Sequence, residues 1–283
     1  MNTRKTKVVG RFGRMLGLLC ICAIPQLAGA GNVPAVPTGP HDAVNGKADY
    51  YTTANWANSP PLAKFVDTLP GLGAATANNL GQYLPVAVPD TTSYPGSDYY
   101  IIELREYFEK LHSDLQPTKL RGYVQVDGAG NDVAPIHYLG PIIVAQRDRP
   151  VRIKFTNKLP TGAAGNLFIP VDESVMGAGK GPAIAGTVRG QGTPCDNTVE
   201  GNTCSKFTQN RAAIHLHGGR TPWISDGTPH QWITPVDEVT PFTKGVSLQN
   251  VPDMPDPGDG SVTYYYTNEQ SARLMFYHDH AFG

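Results

Sequence analysis

The 283-residue sequence contains no apolar run long enough to cross a bilayer. The longest candidate, Met15–Ile24, is too short, so no membrane span is expected. A basic excess is also lacking. Five of the 23 basic residues and none of the 24 acidic ones lie in residues 1–30, which leaves 18 against 24 and a formal charge of −6 for the rest. Such a surface is a poor match for a phosphate backbone, and nucleic acid is set aside as a partner. Cysteine is scarce: two of the four, Cys20 and Cys22, fall in the first thirty residues, leaving Cys195 and Cys204. Long helical periodicity is lacking too, whereas 31 Gly and 25 Pro supply turns between short segments.

The first thirty residues carry Arg4, Lys5, Lys7, Arg11 and Arg14, then the apolar run, then Ala28-Gly29-Ala30. That order of basic, apolar and small residues reads as a secretory signal. Arg11 and Arg14 are separated, so there is no twin arginine and export in the unfolded state is expected. A secreted or periplasmic, soluble mature protein follows. In that compartment Cys195 and Cys204, with eight residues between them in a Gly-rich loop, read by default as a disulfide. A thiolate metal ligand is the competing reading.

From residue 31 to 97 the chain is rich in Pro, Ala and Asn, as at Ser59-Pro60-Pro61 and Leu69-Pro70-Gly71. An irregular N-terminal arm is expected, with one short helix near Leu62–Thr68; a disordered linker is the alternative for its first twenty residues. Strand formers then dominate at Tyr99–Phe108, Gly122–Val126, Pro141–Ala145 and Val151–Phe155. The last alternates, with Val151, Ile153 and Phe155 facing inward and Arg152 and Lys154 outward. Residues 161–210 are long for a connection and hold nine glycines. They read as an elaborated surface loop that shapes an entrance or is simply inserted. Val262–Tyr266 and Leu274–His280 are the last expected strands. Residues 98–283 thus form one all-β domain, in line with a Greek-key β-sandwich.

Two segments carry the chemistry: Ala213-Ile-His215-Leu-His217-Gly218-Gly219 and Tyr277-His278-Asp279-His280. In a strand, residues two apart share a face, so each His-x-His pair presents two imidazoles together, with Ile214 and Leu216 on the opposite, core-facing side. Brought side by side, the two pairs would converge four nitrogen donors, a set suited to copper, zinc, iron or nickel. More than one ion is expected. A pair of satisfied polar histidines is the alternative for either motif taken alone.

The run His215-Leu-His217-Gly-Gly followed by Ser225-Asp226-Gly227, with Leu274-Met-Phe-Tyr-His278-Asp-His280-Ala, resembles the first two copper-binding motifs of multicopper oxidases. The likeness is greatest to bacterial laccases of the spore-coat type. Leu111–Thr118, Gly140-Pro141 and Arg149–Pro160 extend it, so it covers residues 98 to the end. The resemblance implies a cupredoxin-like fold. It makes His215 a ligand of a type 2 copper, and His217, His278 and His280 ligands of a type 3 pair. Asp226 becomes a proton-relay carboxylate, against a plain turn-forming Asp before Gly227. Asp279 alternates away from its neighbours and takes a supporting role.

The resemblance also implies an oxidoreductase that passes electrons from phenols, aromatic amines or metal ions to dioxygen. The chain departs from the family in offering four motif histidines where the trinuclear centre takes eight, and in lacking a His-Cys-His segment for a blue copper. It is therefore expected to be the N-terminal portion of a longer oxidase, with C-terminal cupredoxin domains missing and no activity of its own. His230 stands where the laccases tend to be acidic and reads as an exposed or core-edge residue; His112 reads as structural; His41 and His137 lie outside ligand spacing. An exported copper-binding module without turnover is the main alternative. A zinc- or iron-dependent hydrolase or oxygenase is a third.

Overall fold

The strand from which the others can be placed is β1 (Asp98–Glu109), whose run of Tyr, Ile, Leu and Phe suits a pleated, half-buried surface. It pairs antiparallel with β2 (Thr118–Val126) and parallel with β3 (Val151–Asn157), and β3 pairs antiparallel with β5 (Ser261–Tyr266). The sheet order is β2-β1-β3-β5. A second sheet consists of β4 (Ile214–Leu216) and β6 (Tyr277–Asp279), antiparallel. These strands belong to a computed structural model that describes residues 62–175, 177–182, 204–246 and 249–281. The expected signal segment, the first part of the arm, His41 and Cys195 lie outside the described residues, and the expected disulfide lies outside them with Cys195.

The architecture is all-β, with no α-helix among the described residues. Its core lies between the two sheets. Tyr100, Ile102 and Leu104 of β1, Val151, Ile153 and Phe155 of β3, and Val262, Tyr264 and Tyr266 of β5 meet Ile214 of β4, with Leu216 and Tyr277 packed partly buried against them. Full burial of one such side chain contributes about 1.5–3 kcal/mol. This burial matters most for β4 and β6. A two-stranded ribbon of three residue pairs is marginal by itself, so the inward faces of these strands hold them in place.

The alternation expected in β3 is present, with Val151, Ile153 and Phe155 all nearly inaccessible. Arg152, on the other face, is not left in water. Its guanidinium lies between the Tyr94 and Tyr265 rings, 4.9 and 4.7 Å from their centroids, and donates to both Asp253 oxygens at 2.9 and 2.6 Å. Stacking between two rings with a bidentate carboxylate is a geometry that Arg, unlike Lys, can satisfy. The hydrogen bonds from Arg152 hold the Asp253 carboxyl below its ordinary pKa.

Two expected elements are absent. Residues 62–68 form a turn and not a helix, with Phe65 at φ 60°. Side-chain hydrogen bonds compete with helical ones there. Asp67 accepts from the Ser113 N–H and hydroxyl, and Asn79 accepts from Thr68 N. Pro141–Ala145 is not a strand either. Leu139 and Gly140 turn the chain at positive φ, Pro141 has no N–H to give, and only a single parallel bridge forms, Ile142 to Val86. Val144 points into solvent. The Leu274–His280 strand is shortened to Tyr277–Asp279.

One polar side chain closes the end of the core beyond β3. Asn157, fully buried at the end of β3, donates to the carbonyls of Asn210 (2.7 Å) and Ile233 (3.1 Å) and accepts from Leu159 N (3.1 Å). Replacing it leaves Asn210 O and Leu159 N without that partner in a dry site, at about 1–3 kcal/mol for each group that cannot find water, whereas Ile233 O keeps its bond from Ala212 N at 2.9 Å. Asn157→Leu is expected to lower the unfolding free energy by about 2–4 kcal/mol, read as a reduced urea midpoint with unchanged slope.

Candidate metal centre

The β4–β6 register sets His215 directly opposite His278, Ile214 opposite Asp279 and Leu216 opposite Tyr277. Directly paired residues share a face, as do residues two apart. The ladder continues beyond both strands, since His217 N donates to Phe276 O and His280 N to Ala213 O, each at 2.9 Å. All four histidines therefore stand on the face away from Ile214 and Leu216. Gly218, at φ 75°, turns the chain away immediately after His217.

The rings converge. One nitrogen each from His215, His217 and His278 lies within 4.8 Å of the other two, a group able to hold a metal ion. His280 stacks on His215, with centroids 4.4 Å apart and planes 20° from parallel, and its centroid lies 5.2 Å from that of His278. His217 is the exposed member; Phe276, also exposed, stacks on it at 4.5 Å.

Hydrogen bonds fix which nitrogens are available. His215 Nδ1 lies 2.5 Å from the Asp226 carbonyl and His280 Nδ1 lies 3.1 Å from the Gly227 carbonyl. His278 Nδ1 lies 2.7 Å from the Asp279 carbonyl. A carbonyl only accepts, so each of these rings carries a proton on Nδ1, which leaves Nε2 as the atom that a metal would take. His278 Nε2 in turn faces His217 Nδ1 at 3.3 Å.

With the site described, its relatives can be set beside it. No family model matches the chain. It is 31% identical over 222 residues to a laccase of Bacillus stratosphericus, a match covering 78% of this chain and 30% of that protein. It is 27% identical over 221 residues to a laccase of Bacillus subtilis (strain 168), with the same coverage. Over the matched residues the chain is similar to laccases and multicopper oxidases. It spans about 30% of the length of these curated relatives. Among solved structures, a multicopper oxidase of Campylobacter jejuni, described as a metallo-oxidase, is 14% identical with a TM-score of 0.38, covering 78% of this chain and 27% of that one. The crystal structure of a multi-copper oxidase from Pediococcus acidilactici is 15% identical with a TM-score of 0.36, covering 70% and 24%. Those two likenesses are too distant to carry residue correspondence.

Copper suits this donor set. Neutral imidazoles whose second nitrogens are tied to carbonyl acceptors have the chemistry that a divalent transition metal takes. Asp226, expected as a carboxylate beside the site, contributes to it through its backbone carbonyl. Its side chain accepts from Thr221 Oγ1 at 2.6 Å and stands 3.8 Å from His215 Nδ1.

Asp279 lies on the opposite face from the histidines. It accepts from Ala213 N at 2.9 Å and Ala281 N at 3.1 Å, tying β4 to the residue after His280. Crowding around its carboxyl raises the pKa against the pull of those N–H groups, although the residue keeps some solvent-accessible surface.

The other histidines stand apart from this group. His230 is exposed on a turn. His112 Nε2 donates to Ala63 O at 2.8 Å while its Nδ1 accepts from Asp114 N at 3.0 Å, which is the structural use expected of it. His137 Nδ1 pairs with Glu109 at 2.8 Å, edge-on to Tyr83.

Sequence reasoning did not reach Thr221, Phe276 or the fixing role of Gly227. The Ser-Asp-Gly run signalled a turn, but not that consecutive carbonyls in it would each hold a ring. Gly227 sits at φ 63°, and a Cβ there would fall 1.8 Å from Ile214 O. Both the conformation and the contact require glycine. Gly227→Ala must push the turn off β4, and it is expected to abolish metal binding in an isothermal titration while β-sheet circular dichroism is largely retained.

Proposed function

We propose that this chain supplies part of the copper-binding, dioxygen-side centre of an exported multicopper oxidase. His215 serves a type 2 copper, and His217, His278 and His280 serve a type 3 pair. The observation that carries the reading is the convergence of His215, His217 and His278 nitrogens within 4.8 Å in a chain 31% identical to a laccase. Copper bound there would supply the redox steps that reduce dioxygen to water. The electrons would come from phenolic, aromatic or metal-ion substrates through parts of a longer protein.

The chain's own residues bind, aim and protonate. The Asp226 and Gly227 carbonyls hold His215 and His280 so that both Nε2 lone pairs point out of the β4–β6 face. The Asp279 carbonyl does the same for His278, and the Asp279 side chain locks the two strands that carry the set. Phe276 flanks His217 and limits its ring motion. Asp226, part-exposed and joined to the Thr221 hydroxyl, is placed to carry protons between solvent and the region of His215. The basic and apolar leader supports export, with copper acquired outside the cytoplasm.

A second reading has one observation in its favour. The His215, His217 and His278 group is able to hold a metal ion, which also suits an exported module that holds copper without turnover.

Copper titration of the full 283-residue chain, followed by electron paramagnetic resonance and oxygen uptake with a phenol, tests both readings. Nitrogen-ligated Cu(II) is expected, with sustained oxygen uptake only when the remaining oxidase segments are supplied. Copper binding without uptake under any such addition would favour the module, and zinc-dependent hydrolysis in place of copper binding would overturn both. His278→Ala is expected to weaken copper binding at least about 10-fold, whereas His230→Gln and His112→Gln leave it unchanged.

A further inference from the structure

The turn that holds His215 and His280 has an anchor of its own. The Trp223–Ser225 3-10 turn leads into Asp226, and buried Ser225 accepts from Tyr265 N at 2.8 Å, fastening the turn to β5. Gln231 donates to Trp223 O at 3.0 Å. Those bonds secure the start of the turn. Its far end, where the two ring-holding carbonyls lie, is secured by the close approach of Gly227 to Ile214 O and by the Thr221 hydroxyl on Asp226 Oδ1 at 2.6 Å.

Asp226 presents two competing acceptors to one donor. Its backbone carbonyl holds His215 Nδ1–H at 2.5 Å, while its carboxylate waits at 3.8 Å from the same nitrogen. A carboxylate is the stronger acceptor for an imidazole N–H. Left unrestrained, it could swing onto Nδ1, draw the ring off the carbonyl and break its parallel stacking with His280. The Thr221 hydroxyl, donating to the carboxylate oxygen nearest the ring, opposes that swing.

We infer that Thr221 is a positioning residue of the metal centre: its hydroxyl restrains the Asp226 carboxylate, so that His215 stays on the Asp226 carbonyl and stacked on His280. As a role in copper binding, this rests on the function proposed above. As a statement about the two rings, it does not.

The test compares Thr221→Val, which keeps the shape and removes the hydroxyl, with Thr221→Ser, which keeps the hydroxyl, both in the full chain. The first readout is metal-free: nuclear Overhauser contacts between the His215 and His280 ring protons. The parent and Thr221→Ser are expected to show them, and Thr221→Val to lose them with its thermal midpoint little changed. The second readout is Cu(II) affinity, expected to fall roughly 10-fold in Thr221→Val and to be restored in Thr221→Ser. Should Thr221→Val not fold, Thr221→Ala replaces it with the same expectations. Ring contacts and affinity both surviving loss of the hydroxyl would overturn the inference, as would Thr221→Ser losing the contacts as fully as Thr221→Val. Expected ring behaviour with no copper bound by any form, the parent included, would sink the copper reading and leave the positioning role standing.

Discussion

The pairing of β4 with β6 in one register is the constraint on which the site depends. His215 opposite His278 puts four imidazoles on one face only because Ile214, Leu216 and Tyr277 lie on the other and are taken up by the core. A slip of one residue would exchange the faces, driving imidazoles into an apolar interior and isoleucine and leucine into water. The burial of those three side chains therefore selects the arrangement of the donors as well as the stability of the strands. Buried Tyr264 adds to this by accepting the Ile214 N–H on its hydroxyl at 3.2 Å. Burial raises that phenol's pKa, so it stays a neutral partner.

Backbone carbonyls then turn a cluster of rings into an ordered donor set. Three of the four histidines place Nδ1 against a main-chain oxygen, and two of those oxygens belong to consecutive residues of one turn. A carbonyl has no alternative protonation state near neutrality, so it fixes the tautomer of the ring it meets in a way that a titrating carboxylate does not. The carboxylates nearby are used differently. Asp279 joins the strands from the core side, and Asp226 is held by Thr221 beside the ring that its own carbonyl already occupies. Placing acceptors of different strength at different distances keeps Nδ1 of those three rings on main-chain oxygens and leaves Nε2 off them.

Away from the site, two polar side chains of the framework are well partnered, as burial demands. Asn157 satisfies three backbone groups at the end of β3, and Arg152 is stacked between tyrosines and closed by Asp253. Neither lies near the histidines in sequence. Arg152 joins β3 to the loop before β5 and to Tyr265 of β5, and Asn157 joins it to the segment entering β4.

Much of the site was legible in the chain before folding, because His-x-His on a strand is a purely local pattern: a period of two puts both rings on one face wherever the strand lies. The strands β1, β2, β3 and β5 were legible for the same reason, in the β-branched and aromatic runs that became Asp98–Glu109, Thr118–Val126, Val151–Asn157 and Ser261–Tyr266. Pro141–Ala145 and Leu62–Thr68 misled, since composition does not say whether a partner strand is in reach or whether Asp67 will find Ser113. Only the tertiary structure decided that His215 would face His278, that the Asp226 carbonyl would meet the His215 ring, and that Thr221 and Phe276 would stand beside the rings. Each of those depends on contacts between segments brought together by burying the core, and a contact of that kind leaves no period or spacing in the sequence.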